Sequence, residues 1–420
     1  MATLIPFQAL RPTPETAHLV AAVPYDVVGT DEARALAAGN ALSFLHVSRA
    51  EIDLPAGTDP YANAVYAAAA SRFDGLKREA PLVRDPLPSL YVYRLRMGPH
   101  EQIGVAGGYA LDEYDRDLIK KHERTRRDKE DDRTRHLIAL RAQTGPVFLT
   151  YRASAEIEAI VSHGAATNPL FDFKAPDDVR HTIWRLPSDD ARAVASAFAR
   201  VPTLYIADGH HRAASAARAR QSLRESQRAL SAGGVATAVA ETSTLACDAF
   251  LAVAFPDNQV HILPYNRIVT DLHGLSGQLF LQRVKEGFDV SSGRPSPSGK
   301  GEIAMYLAGQ WYTLRAASDS KTRKDAIAAL DVSVLQSRLL DPVLGIHDVQ
   351  TDARIDFVGG ARGTATLEKA VSDGRAAVAF SMFPVSVADL MAIADAGLIM
   401  PPKSTWFEPK LRDGLLIHEI

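Results

Sequence analysis

The chain has 420 residues, 46% hydrophobic and 23% charged, which marks an ordinary globular protein long enough for two or more domains with well-buried cores. Its 47 basic residues stand against 50 acidic ones, a net of −3, and that balance argues against a dedicated nucleic-acid binder. The single cysteine, Cys247, allows no intramolecular disulfide. With no signal-peptide pattern in MATLIPFQALRP and no apolar run of membrane-spanning length, the expected location is the cytoplasm.

In chain order, Ala21 to Val28 reads as an apolar strand interrupted by Pro24 and the lone carboxylate of Asp26, with Asp31 capping a helix through Ala38. Ser43 to Val47 reads as a strand with His46 near its end, and Tyr61 to Lys77 as an alanine-rich helix. Leu90 to Met97 and Ile103 to Leu111 alternate like the two arms of an antiparallel hairpin, so a mixed sheet is expected. The charged stretch Asp112 to His136 places Glu123 four residues before Arg127 and Asp131 four before Arg135, the spacing of an exposed, ion-paired helix. Pro146 to Tyr151 and Thr182 to Leu186 read as strands, and Ser154 to Ser162 and Ala191 to Arg200 as amphipathic helices.

The stretch TLYIADGHHRAASAARA, Thr203 to Ala219, joins a β-prone run to an alanine- and arginine-rich one across Asp208, Gly209, His210, His211 and Arg212, and predicts strand, tight turn, helix. A helix start leaves backbone N–H groups without acceptors and carries partial positive charge, so such a turn suits phosphate or another anion. Gly209 permits close approach, Asp208 caps the turn or holds a metal ion, Arg212 grips an anion, and the two histidines donate, accept or move protons.

Beyond this motif, Gln221 to Gly234 reads as a loose loop before the apolar run Ala249 to Phe255, and Val260 to Val269 as a strand ending at Asn266 and Arg267. Ser291 to Gly301 is a Ser/Pro/Gly-rich linker or long turn, which sets the expected domains at 1–290 and 302–420. The second part shows a hairpin over Glu302 to Leu307 and Gln310 to Leu314, helical material over Lys324 to Leu340, then a β-α-β-α rhythm from Arg354 to Asp395. Gly359 to Gly363 lacks the features of a phosphate loop, and no Walker A sequence, CxxC pair or HExxH is present, so neither a P-loop nor zinc is expected. Pro401 and Pro402 hold Lys403, Ser404 and Thr405 on a stiff loop suited to phosphate.

The string IADGHHRAASA resembles the DGHHR signature of the ParB/sulfiredoxin-like superfamily, and in particular of the free serine kinases that convert L-serine to O-phosphoserine. With VPYDVV (Val23 to Val28), FLHVSRAE (Phe44 to Glu51), KKHERT and the arginine-rich run after it (Lys120 to Arg133), ILPYNRIV (Ile262 to Val269) and MPPKSTWFEPKL (Met400 to Leu411), the whole chain is similar to the family catalogued as domain of unknown function 1015. The resemblance implies an α/β fold with a mixed sheet, a ParB/sulfiredoxin-like core and a smaller C-terminal α/β unit. It implies phosphoryl transfer to L-serine from ATP, ADP or pyrophosphate, with Mg²⁺ on Asp208. Glu123 would be the carboxylate base, acting with Asp208, His210 and His211. Gly209, Arg212, Lys129, Arg133, Lys403, Ser404 and Thr405 would hold phosphate, and Tyr25, Asp26, His122 and Thr125 the substrate. The alternative is a ParB-like nucleotide-dependent DNA-binding or regulatory protein, which would need a basic surface that the composition lacks. A sulfiredoxin-like reductase needs a cysteine in the motif, where His210 stands instead.

Overall fold

The computed structural model describes residues 1–79, 82–232, 246–316 and 325–420, with side chains omitted at 79 and 226–232. It divides into two compact units, Met1–Val260 with Pro409–Ile420, and His261–Glu408. The Ser/Pro/Gly stretch at 291–301 lies inside the second unit, where it joins two strands as a long turn.

Among the described residues the first unit is built on nine strands: β1 (Leu4–Ile5), β2 (Tyr91–Met97), β3 (His100–Ala110), β4 (Ile119–Lys120), β5 (Val147–Tyr151), β6 (Phe171–Lys174), β7 (Arg180–Arg185), β8 (Leu204–Asp208) and β9 (Ala249–Pro256). They lie in the order β4-β8-β5-β9-β3-β2-β7-β6, with β1 beside the end of β3. The pairs β4/β8 and β5/β9 are parallel and the rest antiparallel, so the sheet is mixed and the fold α/β. β9 is apolar and buried along its whole length, as a central strand covered on both faces must be.

Helices Ala155–Ala165 and Ser188–Phe198 and the start of the helix after β8 bury Ile157, Val161, Val194, Phe198, Ala213 and Ala216 against this sheet. A second core gathers around α1 (Asn63–Glu79), whose Val65, Ala69, Phe73 and Leu76 recur at helical spacing and form one apolar face. There Phe44 meets the Phe73 ring edge-on at 6.2 Å. That packing explains one correction: Leu45–Ser48 is a short helix and not the expected strand, because Leu45 and Val47 are claimed by this helical layer.

The charged stretch is also reorganised. It contains a short helix Leu111–Asp115, the strand β4, a loop, and then α2 (Arg127–Leu140). Asp131 pairs with Arg218 on the neighbouring helix, while Arg135 bonds Asn63 and the Tyr61 carbonyl, so the charges join different elements instead of lining one. The helix after the central motif, α3 (His210–Ala232), runs on through most of the expected loop.

Among the described residues of the second unit, one sheet has six strands in the order Phe288–Ser292, Gln310–Ala316, Glu302–Leu307, Val378–Met382, Tyr265–Val269, Ile355–Gly359, every neighbouring pair antiparallel. The expected hairpin is there. The expected β-α-β-α rhythm is there too, but its two strands flank Tyr265–Val269 rather than each other. No helix among the described residues is long and apolar enough to cross a membrane.

Candidate functional site

The centre of the first unit is the junction of β8 and α3. Pairing of β8 with β5 slips in register between Ile206 and Asp208, and such a bulge re-aims the side chain that follows it. Asp208 thereby turns its carboxylate into the protein: Oδ1 accepts from the Gly209 amide at 2.9 Å and Oδ2 from Lys410 Nζ at 3.1 Å. Burial alone would raise its pKa; Lys410 and then Arg212 outweigh that and hold it well below the ordinary carboxylate range. Gly209 adopts φ +92°, and a Cβ there would meet Arg212 Nε at 2.9 Å, so glycine is required both for the turn and for the arginine folded over it.

Asp208 Oδ1 thus bonds the amide of the residue just before the helix rather than one in its first turn, and its reading as a metal ligand does not fit. A carboxylate already facing Lys410 and Arg212, the latter at 3.7 Å, offers a further cation a repulsive site. Among the described residues the grouping with metal-ligand spacing is instead His122, Glu123 and His210, whose donor atoms lie within 4.8 Å of one another. The two histidines that meet are not adjacent in sequence.

Each imidazole is fixed by a backbone donor. His210 Nε2 accepts from the His122 amide at 3.4 Å and His211 Nε2 from the Arg126 amide at 3.0 Å, so in each neutral ring the proton sits on Nδ1. Burial pushes the pKa of His210 well below its usual value, lowers that of His211, and brings His122 to about 4. The His122 and His210 rings meet edge to face at 4.5 Å. Glu123, largely exposed, places Oε2 at 4.0 Å from His210 Nδ1; with His210 neutral, this is a carboxylate beside an N–H and not an ion pair.

Arg212 is held by the Pro146 carbonyl and lines a half-open cavity of about 50 Å³. Arg133 lines it too, bonded to Asp132 at 2.8 Å and lying over the Tyr25 ring with its guanidinium carbon 4.1 Å from the centroid. Tyr25 lines the same space, and Asp26 acts electrostatically on His211, Arg212 and Asp413. So Tyr25, Asp26, His122, Glu123, Arg133, Asp208, Gly209, His210, His211 and Arg212 gather around one helix start.

The Thr125 hydroxyl bonds Glu130 away from the helix start, whereas Lys129, whose Nζ donates to Tyr61 Oη at 2.6 Å, also acts electrostatically on His211. Lys403, Ser404 and Thr405 belong to the second unit. There Lys403 sits over the Tyr265 ring at 5.3 Å, its carbonyl accepts from Arg267 at 3.0 Å, and Ser404 is buried with its hydroxyl on the Pro401 carbonyl. Asn266 and Arg267 are packing residues of that unit: Asn266 accepts from the Met382 amide, and burial lowers the Arg267 pKa to about 10.

Two residues of the site went unseen in the sequence, Lys410 and Asp413. Both lie on the last segment of the chain, which crosses back over the first unit. Ala22 and Asp413 exchange backbone hydrogen bonds, Leu10 and Ile417 do the same, and His418–Glu419 pairs with Ala142–Gln143. The one hint was Lys410 inside the MPPKSTWFEPKL string.

A family model described as protein of unknown function (DUF1015) matches residues 4–333. The chain belongs to this family. The DUF1015 match takes in β8, the Asp208–Arg212 turn and the loop carrying His122 and Glu123, but ends before the segment with Lys410 and Asp413. No curated protein matches the chain. Among solved structures, this DUF1015 chain is similar to a free serine kinase variant in complex with AMP, at 13% identity and TM-score 0.35, over 74% of this chain and 92% of that one. It is also similar to SbnI with C-terminal truncation from Staphylococcus aureus, at 11% identity and TM-score 0.37, over 73% and 85% of the two chains. A third is a conserved hypothetical protein from Pyrococcus furiosus, at 14% identity and TM-score 0.34, over 74% and 94%.

Proposed function

We propose that the protein is a small-molecule phosphotransferase that moves a phosphoryl group from a nucleotide or pyrophosphate onto the hydroxyl of free L-serine or a close relative. The observation that carries this reading is the convergence, at one helix start, of an accessible carboxylate with a cluster of cations: Glu123 beside neutral His210, and Arg212, Arg133 and Lys410 within the same unit. Phosphoryl transfer asks a protein mainly for position and for neutralisation of charge, and this set supplies both. The choice of serine and of a nucleotide donor follows the likeness of the Asp208–Arg212 motif to that of free serine kinases.

In this reading the acceptor oxygen attacks the terminal phosphorus of the donor as its proton passes to the Glu123 carboxylate. The new P–O bond forms as the bond to the donor's bridging oxygen breaks, and the donor leaves one phosphate shorter. Arg212 and the N–H groups of the first turn of α3 face the transferred charge. Neutral His210 stands beside Glu123, its Nδ1 4.0 Å from Oε2. Asp208, neutralised by Lys410, fixes Arg212 and the turn; no step is routed through a metal on it.

The test is incubation of the purified protein and a divalent cation with L-serine and, separately, ATP, ADP or pyrophosphate, with O-phosphoserine detected by phosphorus NMR. Product from one of the donors is expected, and Glu123→Gln should lower its rate by roughly 10²- to 10⁴-fold, the usual worth of a general base. Absence of product with every donor removes the reading.

A further inference from the structure

The cavity beside Arg212 is more than a gap in packing. Its volume of about 50 Å³ takes on the order of four water-sized groups, which suits the head of a small metabolite and is too little for a nucleotide. Three of the residues that line it each carry a polar atom buried without a hydrogen-bond partner among the described residues: Ser48 Oγ, Arg212 Nε and Asp413 Oδ1. Folded proteins rarely leave such atoms unsatisfied, and three at one cavity point to a ligand that satisfies them.

Their chemistry describes that ligand. Asp413 is only 3% exposed, and neither Arg212 nor Arg133 reaches ion-pair distance of it among the described residues, although both act on it electrostatically. A buried carboxylate with an open oxygen calls for a compact cation that donates hydrogen bonds, as an ammonium does. A guanidinium with an open Nε–H calls for a carboxylate or other oxyanion. Both requirements stand in one small space, with a serine hydroxyl able to serve either. Gly145 completes the fit, since a Cβ there would fall on Asp413 Oδ1.

We propose that this cavity binds the α-ammonium and α-carboxylate of a free amino acid, the ammonium on Asp413 and the carboxylate on Arg212 and Ser48. The assignment rests on the phosphotransferase reading only for which group of the ligand then reacts, not for the binding itself.

The experiment is isothermal titration of the full-length protein with L-serine, with 3-hydroxypropionate, which lacks the amine, and with ethanolamine, which lacks the carboxylate. L-Serine should bind at least tenfold more tightly than either analogue. In an Asp413→Asn variant, confirmed folded by its thermal melt, L-serine should fall to the level of 3-hydroxypropionate while 3-hydroxypropionate itself is unaffected. Equal binding of serine and 3-hydroxypropionate by the natural protein, undiminished serine binding by the variant, or no serine binding at all would overturn the proposal. Serine binding without phosphorylation by any donor would uphold the cavity and remove the phosphotransferase. Phosphorylation of 3-hydroxypropionate as efficiently as of serine would do the reverse.

Discussion

Asp413 is a buried carboxylate that the fold tolerates at a cost. Burial raises its pKa from 3.8 to about 7 in spite of Arg212. The charged and titratable groups facing it are Arg212, Asp26, Arg133 and Arg412, with Tyr25 and His136 in the same cavity. Because the folded state holds this proton more tightly than the unfolded one, stability from this group is greatest below pH 3.8 and is lost as pH rises to about 7. Asp413→Asn should therefore stabilise the unliganded protein by a few kcal/mol at pH 8, with the gain fading toward pH 4, as measured by urea unfolding at the two pH values. The same change should weaken L-serine binding to the level of 3-hydroxypropionate, so stability and binding move in opposite directions at one residue.

At the scale of elements, the β8 to α3 turn makes the sharpest demand. Gly209→Ala places a Cβ at φ +92° and against Arg212, which should cost about 1–3 kcal/mol in chemical denaturation and weaken ligand binding by displacing the guanidinium. This turn was legible in the sequence because strand, glycine and helix follow one another without interruption, so local propensity and site chemistry agree. The hairpin of β2 and β3 was legible for the same reason. Leu45–Ser48 was not: its residues are β-prone in isolation, and only the distant Phe73 face decides that they coil into a helix. Charge spacing misled in a related way, since Asp131 has an arginine four residues on but pairs with Arg218 from another helix. Asp413 carried no legible signal and Lys410 only its place in the MPPKSTWFEPKL string, because Lys410 lies 202 positions from the Asp208 it neutralises and spacing rules reach only a few turns.

For the molecule as a whole, a net charge of −3 supplies no general attraction to polyphosphate chains. Titration with duplex DNA at low and moderate salt should show no tight binding with a steep salt dependence; such binding would instead favour the partition-protein alternative. The first unit is discontinuous in sequence, closed by Pro409–Ile420. That segment buries Leu415, Leu416 and Ile417 almost completely, so removing residues 409–420 should destabilise the unit by on the order of 5 kcal/mol, read as a lowered melting midpoint in circular dichroism.

That closing segment also sets an order of events during synthesis. A ribosome moving from the amino to the carboxyl end completes β8 and the glycine turn long before it reaches Lys410 and Asp413. Until those two emerge, Asp208 lacks its lysine counter-charge and the cavity lacks its acidic wall. A nascent chain that has not yet reached Pro409–Ile420 therefore holds the glycine turn without the two side chains that complete its surroundings.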